Sequence, residues 1–236
     1  MNKLCSIILA IVFPIMVVLS SLGAVVFDRS FFMEELNNNQ VSANTGILTS
    51  EYDSLTDDIM DYLLGIREDV NLHAEMADDM YVPIFTEDEQ RHMQDVRNLV
   101  QVALIVDGAC AVLFVLTAIF LLIKSRRSLL KGLFFGTLIA MILVGAIAVA
   151  ATLNFTQAFV VLHEIIFNND LWLLDPDTGI LISIVPEPYF IHVAMRTGII
   201  GGIILGIVFI LSGIGLFATR KNAGHGTIKR KNNRKF

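Results

Sequence analysis

"LVQVALIVDGACAVLFVLTAIFLLIKSRRSLLKGLFFGTLIAMILVGAIAVAATL", residues 99–153, decides the fold. Its two apolar runs, Leu99–Ile123 and Leu129–Leu153, each exceed the roughly 20 residues a helix needs to cross a bilayer. Between them lies a short basic linker with Lys124, Arg126 and Arg127, followed by Lys131. Working outward, two more runs of spanning length appear, Leu4–Phe27 and Val193–Ala218. The chain has 236 residues, 55% of them hydrophobic, and a mean hydropathy of +0.67, too apolar for an ordinary soluble domain. The expected fold class is an all-α membrane protein: four transmembrane helices with an extracellular cap formed by loops 1–2 and 3–4.

The first run starts with Lys3 and contains "SSLGA", which resembles a signal-peptide cleavage site. Its apolar stretch is longer than the roughly 7–15 residues of a signal h-region, so it is expected to stay as the first span. The expected division is 1–27 N-terminus and first span, 28–98 first part of the cap, 99–123 second span, and 124–128 cytoplasmic loop. It continues with 129–153 third span, 154–192 second part of the cap, 193–218 fourth span, and 219–236 basic tail.

Charge sets the orientation. Lys3, the 2–3 linker and the tail hold 12 of the 17 basic residues and no acid. Residues 28–98 carry 17 acids against 4 bases, and residues 154–197 carry 5 acids against 1 base. The positive-inside rule then expects both termini in the cytoplasm and both larger loops outside. The basic tail suits anionic lipid headgroups better than nucleic acid. Cys5 and Cys110 both fall in spans, which excludes an extracellular disulfide framework.

Within the first loop, "NNNQVSANTG" (37–46) reads as turns or flexible strand. Leu55, Ile59, Leu63 and Ile66 recur at helical spacing among acids, an amphipathic helix expected to pack on protein rather than anionic lipid. Thr86 and Glu89 form a capping box, so a helix is expected to start near Thr86 and run into the second span. His92 and Asp95, three residues apart, share a face of that helix. In the second loop an apolar helical continuation runs through His163, turns follow at "NNDLW" and "DPDTG", and "ILISIVPEPYF" reads as a short extended segment ended by prolines.

The candidate chemistry is histidine chemistry. His92 and His163 both lie near the outer membrane surface; whether they meet is not encoded locally, and two interfacial histidines with ordinary hydrogen bonds are the plain alternative. No HExxH, GxSxG, Walker loop or GxGxxG is present, so neither a metal nor a cofactor is expected. Trp172, Phe155, Phe159, Phe167, Tyr189 and Phe190 surround the polar loop, as an interfacial belt or as the walls of a headgroup site. Asp107 is the one acid inside a span, expected to serve helix packing or a pocket floor.

Two motifs, "FTEDEQRHMQDVRNL" before the second span and "LHEIIFNNDLWLLDPDTG…VPEPYF" after the third, resemble those of the Lit family of lipoprotein intramolecular transacylases. The resemblance covers essentially the whole chain. It implies an O-to-N transacylase acting on a diacylglyceryl lipoprotein in the outer leaflet of a bacterial cell membrane. The sn-2 acyl chain moves to the free α-amino group of the N-terminal cysteine, giving the lyso form. It implies His92 and His163 as the catalytic pair, acting as general acid and base, with their roles undivided between them.

Around that pair, supporting or substrate-binding roles are expected of Asp95, Asn169, Asp170, Trp172, Asp175, Phe167, Tyr189 and Arg196. Asp95 is expected to orient or charge-tune His92, and Asn169, Trp172 or Arg196 to stabilise an oxyanion. A snorkelling cation is the other reading of Arg196. Two other functions fit the same composition: a non-enzymatic four-span scaffold or sensor with an acidic ectodomain, and a phospholipid acyl hydrolase or transferase.

Overall fold

The computed structural model describes residues 1–78, 80–175 and 179–232, with side chains described through Thr219. Pro176, Asp177 and Thr178 of the expected turn, and the basic side chains of the tail, lie outside the described residues. In chain order the elements are α1 (Asn2–Val26), α2 (Arg29–Asn38), α3 (Val41–Thr45), α4 (Tyr52–Leu64), β1 (His73–Glu75) and β2 (Tyr81–Pro83). There follow α5 (Glu87–Lys124), α6 (Arg126–Leu153), α7 (Phe155–Ile166), α8 (Leu181–Ile184) and α9 (Glu187–Asn232). Among the described residues, four helices are long and apolar enough to cross a membrane: α1, α5, α6 and the Glu187–Thr219 part of α9. The fold is an all-α membrane fold carrying one small antiparallel ribbon, in which Ala74 of β1 faces Val82 of β2.

The chain forms two units. The first comprises residues 1–20, 107–147 and 199–236. Here α1 and α6 approach backbone to backbone. A Cβ on Gly132 would lie 2.6 Å from the Ser6 carbonyl oxygen, and one on Gly136 would lie 2.5 Å from that of Ala10. Small residues one turn apart allow this, as in other helix pairs within lipid. Ser6 Oγ donates to the Ser128 carbonyl at 2.8 Å across the same pair. Phe13, Val17, Ala140 and Leu205 form the core, and Phe134 stacks on Phe209 at 4.7 Å. Thr117 and Thr137 donate to carbonyls four residues back, at 2.6 and 2.7 Å, so neither hydroxyl is left unmet in an apolar segment. Asp107 accepts from Ser20 Oγ at 2.8 Å, which ties α5 to α1.

The second unit comprises residues 21–106 and 148–198. Its core gathers Phe31, Leu36, Leu55, Ile59, Leu72 and Ile184, all buried. Asp28 caps α2: Ser30 Oγ donates to its carboxylate at 2.6 Å and the Phe31 N–H at 3.2 Å, and these bonds hold it below the usual carboxylate range. The acidic helix α4 buries Leu55, Ile59 and Leu63 and packs against α2, with Arg29 bridging Asp53 and Asp57 at 2.8 and 2.6 Å. Ile66 does not join that face. Gly65 ends the helix in the left-handed region at φ 78°, and Ile66, 70% exposed, follows the turn.

Two local expectations are corrected. The segment 37–46 is not strand: it holds the end of α2 and the short α3, which is bounded by Gln40 (φ 54°) and Gly46 (φ 81°) in left-handed conformations. The segment 180–190 is not extended either. Leu181 and Ile184, one turn apart in α8, are 4% and 1% exposed, so a β-branched run becomes helical because that spacing puts both side chains in the core. The prolines start a helix rather than end one: Pro186 precedes α9 and Pro188 sits in its first turn, where no amide hydrogen is needed. The last helix thus begins six residues before the expected Val193.

Candidate functional site

The capping box sets where α5 begins. The Thr86 N–H and Oγ–H donate to Glu89 Oε2 at 2.8 and 3.0 Å, and Thr86 Oγ in turn accepts the Glu89 N–H at 3.3 Å. His92 follows one turn later, in the polar start of α5 before the apolar run at Leu99. The second histidine depends on a break. Asn154 Oδ1 accepts the Gln157 N–H at 3.0 Å and caps α7, so the apolar stretch after the third span becomes a separate helix. His163 lies in the last turn of α7.

The two histidine rings stand 6.4 Å apart, centroid to centroid. Phe167 packs against both, at 5.3 Å from His92 and 5.6 Å from His163. Trp172 lies 5.1 Å from His163 and Phe159 lies 4.1 Å from it. His163 Nδ1–H donates to the Phe159 carbonyl at 2.8 Å. With that proton spoken for, the neutral ring carries its lone pair on Nε2. His92 is only 8% exposed, and its Nδ1 is buried with no hydrogen-bond partner among the described residues. Burial chiefly, and then the neighbouring His163, lower its pKa to about 4 against an opposing pull from Asp95, so His92 is neutral at pH 7.

The other expected residues divide. Asp95 feels His92 electrostatically, but its Oδ2 accepts from Asn169 Nδ2 at 2.9 Å. Asn169 also accepts the Leu171 N–H at 3.0 Å, so its amide shapes the loop and ties it to α5. Asp170 and Asp175 supply backbone carbonyls to turns, accepting from Leu173 and Gly179 at 3.0 and 2.9 Å. Tyr189 is buried in the core against Phe31 and Phe32, and connects to His163 through Phe190 and Phe159. Arg196 is diverted to α2: it pairs with Glu34 at 3.2 Å and lies over the Phe31 ring at 4.1 Å. A carboxylate and an aromatic face thus hold the guanidinium on the α2 side.

Sequence reasoning found Glu89 as a helix cap and missed its second partner. Its Oε1 accepts the Leu181 N–H at 2.6 Å, across 92 residues of chain. Nothing in the local pattern announces that contact. Chemically, the cluster offers one anchored imidazole with a free lone pair, one neutral buried imidazole and an aromatic enclosure. Among the described residues there is no group of His, Cys, Asp and Glu arranged to hold a metal ion.

Comparison with known proteins adds the family. A family model described as lipoprotein intramolecular transacylase Lit matches residues 7–190. No curated protein matches the sequence. Among solved structures, the in meso structure of the membrane integral lipoprotein intramolecular transacylase Lit from Bacillus cereus is similar with a TM-score of 0.76 at 22% identity. That similarity covers 94% of this chain and 98% of the other. Two structures of the same Bacillus cereus protein, with one histidine replaced by alanine or by arginine, each give a TM-score of 0.71 at 20% identity. They too cover 94% of this chain, and 96% and 95% of theirs. At these identities the likeness establishes the fold.

Proposed function

The chain belongs to the family of lipoprotein intramolecular transacylases, Lit, and on that premise we propose that it moves the sn-2 acyl chain of a diacylglyceryl lipoprotein to the α-amino group of the lipoprotein's N-terminal cysteine. The observation that carries the reading is the approach of His92 and His163, from two separate segments, to 6.4 Å within one aromatic enclosure. The substrate is met in the outer leaflet, with both termini of the chain in the cytoplasm, as the distribution of basic residues argues.

The reaction exchanges an ester for an amide. A bond forms between the cysteine nitrogen and the acyl carbon, and the bond from that carbon to the sn-2 oxygen breaks. One proton leaves the nitrogen and one arrives on the departing oxygen. No acyl donor beyond the substrate is consumed. An α-amine has a pKa of roughly 7.7–8.0, so much of it is protonated at neutral pH and a base is useful. His163 is that base: its Nδ1–H is fixed on Phe159, which leaves Nε2 to accept the amine proton and return it to the glyceryl oxygen. His92, neutral and enclosed, donates a hydrogen bond to the ester carbonyl as negative charge develops there. Phe167, Trp172 and Phe159 hold the two ends of one substrate together, and intramolecular proximity supplies part of the acceleration.

The experiment is conversion of a synthetic diacyl lipopeptide by the purified protein, read by mass spectrometry of the N-terminal residue. The expected product is N-acylated and mono-acylated on glyceryl. A lyso product without the N-acyl group would identify water as the acceptor and a hydrolase instead. Absence of any conversion would leave a scaffold.

A further inference from the structure

Glu89 is 1% exposed and lies one turn before His92 on α5. Its contacts are of two kinds. The bonds from Thr86 to Oε2 complete a helix cap, which any capping box would do. The bond from the Leu181 N–H to Oε1, at 2.6 Å, is not part of a cap. It reaches the first residue of α8, downstream of the loop that carries Asn169 and Trp172. The approach is closed to any side chain: a Cβ on Gly179 would stand 2.6 Å from Glu89 Oε1.

The segment after α7 is therefore held to α5 at two points flanking His92. Asp95, three residues after it, takes Asn169, and Glu89, three residues before it, takes Leu181. The two ties differ in strength. The Asn169–Asp95 bond is exposed, so water can replace either partner. The Glu89–Leu181 bond is buried, and a lost acceptor there leaves an amide hydrogen with nothing to take it. Burying a carboxylate is costly unless donors converge on it, and here three do. A cap alone needs no such burial.

We propose that Glu89 is a positioning residue for the acyl transfer: by holding the Leu181 amide it fixes the loop after His163 against the turn of α5 that bears His92. This rests on the transacylase reading above. Glu89 touches no reacting atom; it acts through the placement of His92 against Phe167 and His163.

The test uses the full-length protein in detergent or nanodiscs with a synthetic diacyl lipopeptide. Glu89→Gln keeps the size but offers one oxygen to three donors, so its NH2 faces at least one of them. Gly179→Ala pushes a methyl group into the same contact from the other side. Thr86→Ala weakens the cap and leaves the Leu181 bond alone. Both Glu89→Gln and Gly179→Ala are expected to lower kcat roughly tenfold to a hundredfold with little change in KM, the cost of a sub-ångström to ångström misplacement. The double variant should be no worse than either single one. Thr86→Ala should lower the melting temperature yet keep kcat within about threefold.

Wild-type kcat in Glu89→Gln, or a kcat loss in Thr86→Ala as large as in Glu89→Gln, would overturn the proposal. If the wild-type protein converts no lipopeptide, the functional reading fails and the placement is still scored by NMR of labelled histidine. Glu89→Gln and Gly179→Ala should then raise the His92 titration midpoint from about 4 toward the free value, while Thr86→Ala should not. An unmoved midpoint in the first two overturns it.

Discussion

His163 donates its Nδ1–H to the carbonyl oxygen of Phe159, 2.8 Å away and one turn back along α7. The same carbonyl belongs to the residue whose ring packs 4.1 Å from the imidazole, so backbone and side chain of one residue set both the tautomer and the tilt of the histidine. A base needs a lone pair in a known direction, and this contact provides one.

The first prediction concerns that tautomer. Labelled His163 at pH 8 should show its proton on Nδ1 and its lone pair on Nε2 by nitrogen-15 NMR. His163→Ala should lower conversion of the lipopeptide by about 10²–10⁴-fold, the usual worth of a general base. A dominant Nε2–H form would remove His163 from the base role.

A second prediction follows from the buried partner. The folded pKa of His92 is about 4, below its ordinary value of 6.5, chiefly because burial disfavours the charged ring. Unfolded chain binds a proton between these values and folded chain does not. Stability is therefore full above about pH 6.5 and falls as the pH drops from there toward about 4. Melting temperatures between pH 7.5 and 4.5 should decline, and His92→Gln should flatten that part of the decline. A slope unchanged by His92→Gln would contradict the assignment.

Helix packing gives a third. Gly136→Ala would place a methyl carbon 2.5 Å from the Ala10 carbonyl oxygen, a backbone atom that cannot swing aside. It should destabilise the protein by about 1–3 kcal/mol, as overpacking does. Gly145→Ala, with nothing within 4 Å of the new carbon, should be neutral or slightly stabilising. Thermal unfolding of the two variants side by side checks this, and equal melting temperatures would refute the close α1–α6 contact.

Arg196 gives the fourth. Because its guanidinium is held by Glu34 and the face of Phe31, Arg196→Ala should weaken the docking of α2 and leave conversion within about threefold of wild type. Protease sensitivity around α2 and the rate of lipopeptide conversion report the two effects separately. A hundredfold loss of rate with α2 intact would return Arg196 to the reaction.

How legible was all this in the primary structure? The spans were, because a run of twenty or more apolar residues has few other stable environments, and so was the start of α5, because a capping box acts within four residues. The short helices α3 and α8 were not. Their residues lack a clear helical period, and α8 forms because one turn brings Leu181 and Ile184 to the same core. Pro186 and Pro188 start α9 for a related reason: proline ends a helix from within and starts one from its first turn, and only the surrounding packing selects between these.

Of the site, the chain itself marked the candidate residues. One histidine precedes the second span and one follows the third, an acid lies three residues after the first, and an aromatic-rich loop follows the second, in motifs that mark the family. Only the tertiary structure decided that the rings meet at 6.4 Å, that Phe167 wedges against both, that Asp95 serves Asn169, and that Glu89 reaches Leu181. The physical reason is range. Hydropathy, caps and helical spacing are settled among neighbours a few residues apart. A contact between segments some 70 to 90 residues apart depends on how every intervening loop packs, and no local pattern records that.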